Sequence, residues 1–446
     1  MNKLITFFFI SLFFICQSLY GDVVLGKLSD ASWVSAGGND MVLSFGRPAL
    51  GTNFQVEIKT TVTNQLFTIT PTDAVDLYID WGDGNISNYT GSARVDHYYV
   101  NAITTTVALS GTTTKILFGY DTATRNVLTR ILSPILGMDL TSGNMLFYLC
   151  YNLENIYAGM FNYATNVTDF ESLFRMGNTT YAGKLTEVPE GLFTNCLKCT
   201  KFKQIFRSTK IKYIPDIFGN NTNATDFSYM CNYAYAITNV SPTLFSGCTK
   251  VTTFQHLFYR SRVLSEIPSG FFDSNTIVNN FSYAFAGCWG LTTIPSGLFD
   301  NNTEVTTFGN TFNNAVNIID IPSGLFTNCQ KVTTYKSTFN GCTALKDIPA
   351  VLFGTNNNAI DFTQTFYINT SLTNVPSTLF DGCTNMSKTI GLFQGCAAIV
   401  SDVPELWDTA KFGNATLAVE ANHLNTFTGC INAGNYADIP DAWKGL

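Results

Sequence analysis

Residues able to do acid–base or metal chemistry are present but thinly spread. Two positions before a recurring proline stand Glu187, Glu266, Asp320, Asp347 and Asp402. Hydrolysis of a glycosidic bond needs two carboxylates about 5–10 Å apart, and Asp320 and Asp347, one sequence period apart, could supply them. The plainer reading is a solvated column beside a turn. Asp80 and Asp83 are two carboxylates without the further oxygen ligands that calcium requires. Cys196 and Cys199 form a close pair with no second pair or nearby histidine, and His97, His256 and His423 lack metal-ligand spacing. No G-x-S-x-G elbow, Walker loop or zinc-binding helix motif occurs. The sequence therefore assigns no catalytic residue, no metal ligand and no cofactor, and a non-enzyme is expected.

What must position any functional side chain is a repeat. Pro189, Pro215, Pro242, Pro268, Pro295, Pro322, Pro349, Pro376 and Pro404 recur at about 27 residues, followed after a longer gap by Pro440. One unit runs from Ile321 to Asp347 and is internally two-fold: Phe326, Cys329, Val332 and Tyr335 are echoed by Phe339, Cys342, Leu345 and Ile348. A unit of this length cannot bury its apolar face alone, so neighbouring units must stack. With about ten units spaced by roughly 4.8 Å, the stack would be about 50 Å long. In register, one column alternates cysteine and asparagine through Cys196, Asn221, Cys248, Asn275, Asn302, Cys329, Asn356 and Cys383. That interchange argues against disulfides and for small buried residues whose S–H or amide meets a backbone carbonyl.

The 446-residue chain is 46% hydrophobic and 14% aromatic, ample for a large core, yet only 13% charged with a formal net charge of −7. Nucleic acid is not an expected partner, since phosphate binding needs concentrated basic charge. Residues 1–21 combine Lys3, an apolar run from Leu4 to Ile15 and small residues near Gly21, the pattern of a secretory signal peptide. The run is shorter than the about 20 residues of a membrane span. Cys16 would suit a lipoprotein, but Ile15 stands where a small residue is required. A secreted or cell-surface location follows, with no transmembrane segment after signal cleavage.

Residues 22–48 read as a leader segment. From Phe54 the chain alternates apolar and polar residues in short runs bounded by turn residues, which predicts a small antiparallel β-sandwich over 49–120. Within it, Asp80-Trp81-Gly82-Asp83-Gly84 followed by His97-Tyr98-Tyr99 resembles the polycystic-kidney-disease-type (PKD-like) domain. Asp83-Gly84 suits a tight turn, and Trp81 is large enough to anchor a core.

The repeated form F-x-x-C-x-x-L-x-x-I-P-x-x-L-F-x-x-C over 121–446 resembles the BspA-like leucine-rich repeats of surface proteins. That resemblance implies a mainly β fold with short helical or irregular connections. A solenoid of about ten ~27-residue coils would follow the sandwich, each coil placing one short strand on a shared sheet. It also implies adhesion to a protein or glycan of a host or neighbouring cell. A structural role in an envelope layer or appendage, through self-association, is the alternative; a carbohydrate-active enzyme is the third.

Candidate contact residues are polar side chains flanking the V-x-x-F segment and aromatic exceptions to the core pattern. They are Gln255, Tyr283, Trp289, Thr307, Thr334, Lys336, Thr363 and Tyr367.

Overall fold

The computed structural model describes residues 33–35, 41–43, 53–119, 124–177, 183–408, 417 and 419–446. Residues 1–21, expected to be a signal peptide, and Cys16 among them, lie outside the described residues. The chain divides into two compact units, Met1–Asn53 and Phe54–Leu446. In the first, β1 (Trp33–Ser35) pairs antiparallel with β2 (Met41–Leu43).

The second unit begins with two small antiparallel sheets. The strands are β3 (Phe54–Lys59), β4 (Gln65–Thr72), β5 (Ala74–Asp80), β6 (Ile86–Gly91), β7 (Val95–Tyr99), β8 (Thr104–Thr112), β9 (Lys115–Leu117) and β10 (Leu128–Ile131). Their orders are β10-β3-β8-β5-β6 and β7-β4-β9. Alternation selects the buried faces: Phe54, Val56 and Ile58 point inward from β3, and Phe67 and Ile69 from β4. Between β5 and β6, Gly82 and Gly84 adopt φ of 79° and 96°, as the expected turn requires. Asp80 accepts the Gly82 N–H and Asp83 accepts the Asn85 N–H, both at 3.0 Å, while Asp83 meets His97 Nε2 at 2.7 Å. These carboxylates hold the turn. Trp81 is buried, stacks on His97 with centroids 4.7 Å apart, and receives the Tyr99 hydroxyl on its carbonyl at 2.7 Å.

The expected PKD-like sandwich is corrected by this arrangement, which consists of small antiparallel patches. The physical reason lies in Phe118 and β10. Phe118 stacks on Phe67 at 6.3 Å and also on Phe147 of the first coil at 5.4 Å. Ile131 of β10 donates its N–H to Asn155. The apolar core thus runs on from the sheets into the repeats.

The leucine-rich-repeat fold is corrected as well. Among the described residues, no coil contributes a strand to a curved parallel sheet. Among the described residues the repeats hold one two-residue parallel pair, β11 (Tyr213–Ile214) with β12 (Asn239–Val240). Elsewhere they touch through single-residue parallel bridges such as Thr253 to Asn280, Asn280 to Thr307 and Thr307 to Thr334. The backbone between bridges is turned, not extended. Within Tyr335–Cys342, Thr338 N–H returns to Tyr335 O and Cys342 N–H to Phe339 O, with Ser337 and Gly341 at φ of 54° and 72°. Positive φ at the third position is the signature of a type II turn. The alternate amides of Tyr335, Ser337, Phe339 and Gly341 instead donate to Asp361, Thr363, Thr365 and Tyr367 of the next coil, at 2.8–2.9 Å. Each coil is a ribbon of turns stitched to its neighbour.

Three aromatic ladders fill the stack. Phe254, Phe281, Phe308, Tyr335 and Phe362 form one, with successive centroids 5.4–6.0 Å apart. Phe258, Phe285, Phe312, Phe339 and Phe366 form the second, and Phe272, Phe299, Phe326 and Phe353 the third. The cysteine/asparagine column behaves as its chemistry suggests. Asn302 Nδ2 donates to Phe272 O at 3.2 Å and Asn275 O at 3.0 Å, and Cys329 Sγ lies 3.6 and 3.7 Å from Phe299 O and Asn302 O. The cysteines from Cys150 to Cys430 are all buried thiols. Cys396 and Cys430 each donate to a carbonyl, of Phe366 and Phe393. The stack ends on α1 (Glu420–His423) and α2 (Asp441–Lys444), where Trp443 lies flat on His423 at 4.1 Å and covers Phe427. Covered ends of this kind keep a repeat stack from exposing its core. No helix among the described residues is long and apolar enough to cross a membrane.

Candidate binding face

Counting from the bridge residue of each coil, the side chains three, six, seven and nine positions on lie outside the aromatic ladders. In the coils bridged by Thr307, Thr334 and Lys388 they are Asn, Gln, Ser, Thr, Gly, Ala or Val. In the coils bridged by Lys201, Asp226, Thr253 and Asn280 they include Arg207, Tyr229, Tyr233, Tyr235, His256, Tyr259, Arg260, Arg262, Tyr283 and Trp289, beside Gln204, Ser208, Lys210, Asn232, Ala286 and Gly287. Stacking of coils brings these together although they are distant in sequence.

The contacts form two connected rows. His256 lies between Tyr229 and Tyr283, with near-parallel rings and centroids 4.4 and 4.5 Å apart. Beside it, Tyr233 receives the guanidinium groups of Arg207 at 5.9 Å and Arg260 at 5.7 Å, and Arg260 also lies over Tyr259 at 5.4 Å. Arg262 is sandwiched between Trp289 at 4.2 Å and Tyr235 at 5.1 Å. Cation–π attraction is worth about 0.5–2 kcal/mol per contact, depending on solvent exposure. No carboxylate pairs with Arg207, Arg260 or Arg262 among the described residues. The segments 201–212, 227–238, 254–265 and 281–292 contain no Asp or Glu at all, in a chain of net charge −7.

Burial, and secondarily the charge of Arg207, pull the His256 imidazole down to about 4. It is therefore a neutral aromatic plate at neutral pH. An unfolded histidine takes its proton near pH 6.5, so lowering the pH from about 6.5 towards 4 favours the unfolded coil over the folded one. Titration of His256 by NMR should show a midpoint near 4, moving upward in Arg207→Ala. A midpoint at the ordinary histidine value would disprove the buried stack.

The residues singled out from the sequence separate into four groups. Tyr283 and Trp289 belong to the face just described. Thr307 and Thr334 are half-buried, and their hydroxyls accept the N–H groups of Gly309 and Lys336 at 3.1 and 3.2 Å, closing local turns. Gln255, Lys336 and Thr363 occupy a neighbouring column, where Lys336 is exposed and Thr363 donates its N–H to Asp361. Tyr367 is half-buried further along, and its carbonyl serves the inter-coil bond from Gly341. Asp320 and Asp347 are exposed, and Asp347 accepts the Asn374 amide at 2.6 Å. Among the described residues no three His, Cys, Asp or Glu side chains converge as metal ligands. The arginines and the other tyrosines of the face escaped the sequence reading because they sit in different columns; placing positions three, six, seven and nine of adjacent coils side by side would have revealed them. The sequence matches no protein-family model and no curated protein.

Proposed function

We propose that the chain is an exported binding protein whose coils are scaffold and whose arginine–aromatic face grips a partner on a cell surface or in its surroundings. The observation that carries this reading is the acid-free concentration of Arg207, Arg260 and Arg262 among Tyr229, Tyr233, Tyr235, Tyr259, Tyr283 and Trp289. Arginine, tyrosine and tryptophan are the residues that dominate binding energy at interfaces. Residues arranged this way supply cationic donors and flat apolar area. The opening of the chain, a lysine followed by an apolar run, supports export.

The test is retention of purified protein on arrays of glycans and matrix proteins, compared with an Arg207→Glu/Arg260→Glu double variant. Binding should fall by about tenfold or more, as when a central charged contact is reversed. Absence of any retained partner, or retention unchanged by the double variant, would remove the reading. Concentration-dependent oligomers abolished by the same substitutions would transfer the face to self-assembly.

A further inference from the structure

A hollow of about 220 Å³ lies at the edge of this face, against Trp289. Its origin is a step in side-chain size along the stack. Where one coil carries Tyr259 and Arg260, the next carries Ala286 and Gly287, and the third Asn313 and Asn314. Arg262 and Trp289 wall the hollow on another side, and below Trp289 the column shrinks to Val316. Gly287 keeps it open: at φ 70°, an added Cβ would stand 3.0 Å from Arg260 Cγ.

We infer that this hollow is a subsite for one carboxylate-bearing sugar ring of an acidic polysaccharide, an inference that rests on the binding role proposed above. Three features converge on that chemistry. The guanidinium groups of Arg260 and Arg262 have no carboxylate partner among the described residues, and a guanidinium fork matches a planar carboxylate with two parallel N–H donors. Arg262 is held in place by the Trp289 and Tyr235 rings, with its Nε buried and unpartnered. Trp289 is 42% exposed and so offers ring surface to the C–H face of a sugar. Asn313 and Asn314 bring amide donors and acceptors suited to ring hydroxyls. The volume falls below the roughly 300 Å³ at which pockets for drug-sized ligands begin, so it suits a single ring. The chain on either side of that ring would continue over Tyr259 and Tyr233 towards Arg207.

Isothermal titration with oligogalacturonate, dextran sulfate, neutral dextran and a single-stranded oligonucleotide tests the assignment. Two variants accompany the wild type. Trp289→Ala removes the ring wall. Gly287→Asn fills the hollow with a residue that tolerates positive φ, as Asn314 does at 54° in the same column one coil on. Near-ultraviolet circular dichroism checks that both fold. Oligogalacturonate should bind the wild type, and both variants should weaken it by about tenfold or more, with dextran silent and dextran sulfate weaker. Uronate binding untouched by Gly287→Asn and Trp289→Ala would overturn the subsite. Preference for dextran, dextran sulfate or the oligonucleotide would overturn the ligand class while leaving a binding face. Silence of all four probes overturns this inference alone if the arrays retain a partner through Arg207 and Arg260, and both readings if they do not.

Discussion

Phe299→Ala is expected to destabilise the protein by about 3–5 kcal/mol, the usual cost of truncating a fully buried phenylalanine. Phe299 has no exposed surface. Its ring centroid lies 4.8 Å from Phe281 and 4.7 Å from Phe308 across the coil, and 6.1 and 6.2 Å from Phe272 and Phe326 along its own ladder. Removing it opens a cavity that these neighbours cannot close, because inter-coil hydrogen bonds hold each at its own level: the Phe281 and Phe308 N–H groups donate to Thr307 and Thr334, and the Phe272 and Phe326 carbonyls accept the Asn302 and Asn356 amides. Coils contact only adjacent coils, so the damage should be local. Urea denaturation should shift to lower concentration, and native-state hydrogen exchange should speed up first in the coils bridged by Asn280 and Thr307. Trp289→Ala, on the exposed face, serves as the control and should cost far less. A loss below about 1 kcal/mol for Phe299→Ala would mean that the ladders are not what holds the stack together.

The second large effect is expected at a glycine. A Cβ added at Gly247 would stand 1.9 Å from Gly219 O, 2.9 Å from Gly219 C and 3.0 Å from Asn220 Cα. All three are backbone atoms, so no side-chain rotation relieves the clash. Other coils carry Asn301, Asn328 or Thr355 at the equivalent place. The difference lies in the preceding coil, where Gly219 follows Phe218 and its carbonyl turns towards the next level. The same pairing recurs once more: Gly354 follows Phe353, and a Cβ on Gly382 would stand 2.1 Å from Gly354 O. Gly247→Ala should therefore destabilise at or above the upper end of the about 1–3 kcal/mol typical of overpacking. The coupling can be read directly. Gly219→Asp, which copies Asp300 in a coil that tolerates Asn328 above it, should recover part of the loss in a double-mutant cycle. Equal thermal stability of Gly247→Ala and wild type would show that the coils separate more easily than their hydrogen bonds imply.

Legibility followed the range of the interactions involved. The columns of Phe, Cys and Asn could be written down from spacing alone, because each column is set by which side of the coil a position faces. The role of Asn302 and Cys329 as donors to backbone carbonyls followed from their small size and their interchange, whereas the choice of carbonyls on the preceding coil came from stacking. The strands around Trp81 were visible through alternation, whereas β6 and β10 were not. The Ile86–Gly91 sequence is polar and takes its place by pairing with β5, and Leu128–Ile131 belongs to the sheet by pairing with β3.

The leucine-rich and PKD-like comparisons failed at the level of the backbone. A Phe-led segment with β-branched neighbours reads as a strand, yet Ser337, Gly341 and their counterparts adopt positive φ and fold it into turns. Residues such as Tyr229, His256 and Arg260 do so without being glycine. Nothing in their own side chains demands that conformation; it is held by the alternate amides bonding to the coil above.

By itself, then, the amino-acid sequence determined that this protein is a stack of about 27-residue units with regularly recurring phenylalanines and a cysteine/asparagine column. These are consequences of period and of the transfer of apolar side chains from water, which a linear pattern records. Only the tertiary structure decided that the units are ribbons of turns, that the core runs unbroken from Phe67 through Phe118 to Phe147, and that Arg260, Arg262 and Trp289 surround one hollow. Those outcomes depend on hydrogen bonds and ring contacts between residues some 27 positions apart, whose partners are chosen by stacking and not by sequence neighbourhood.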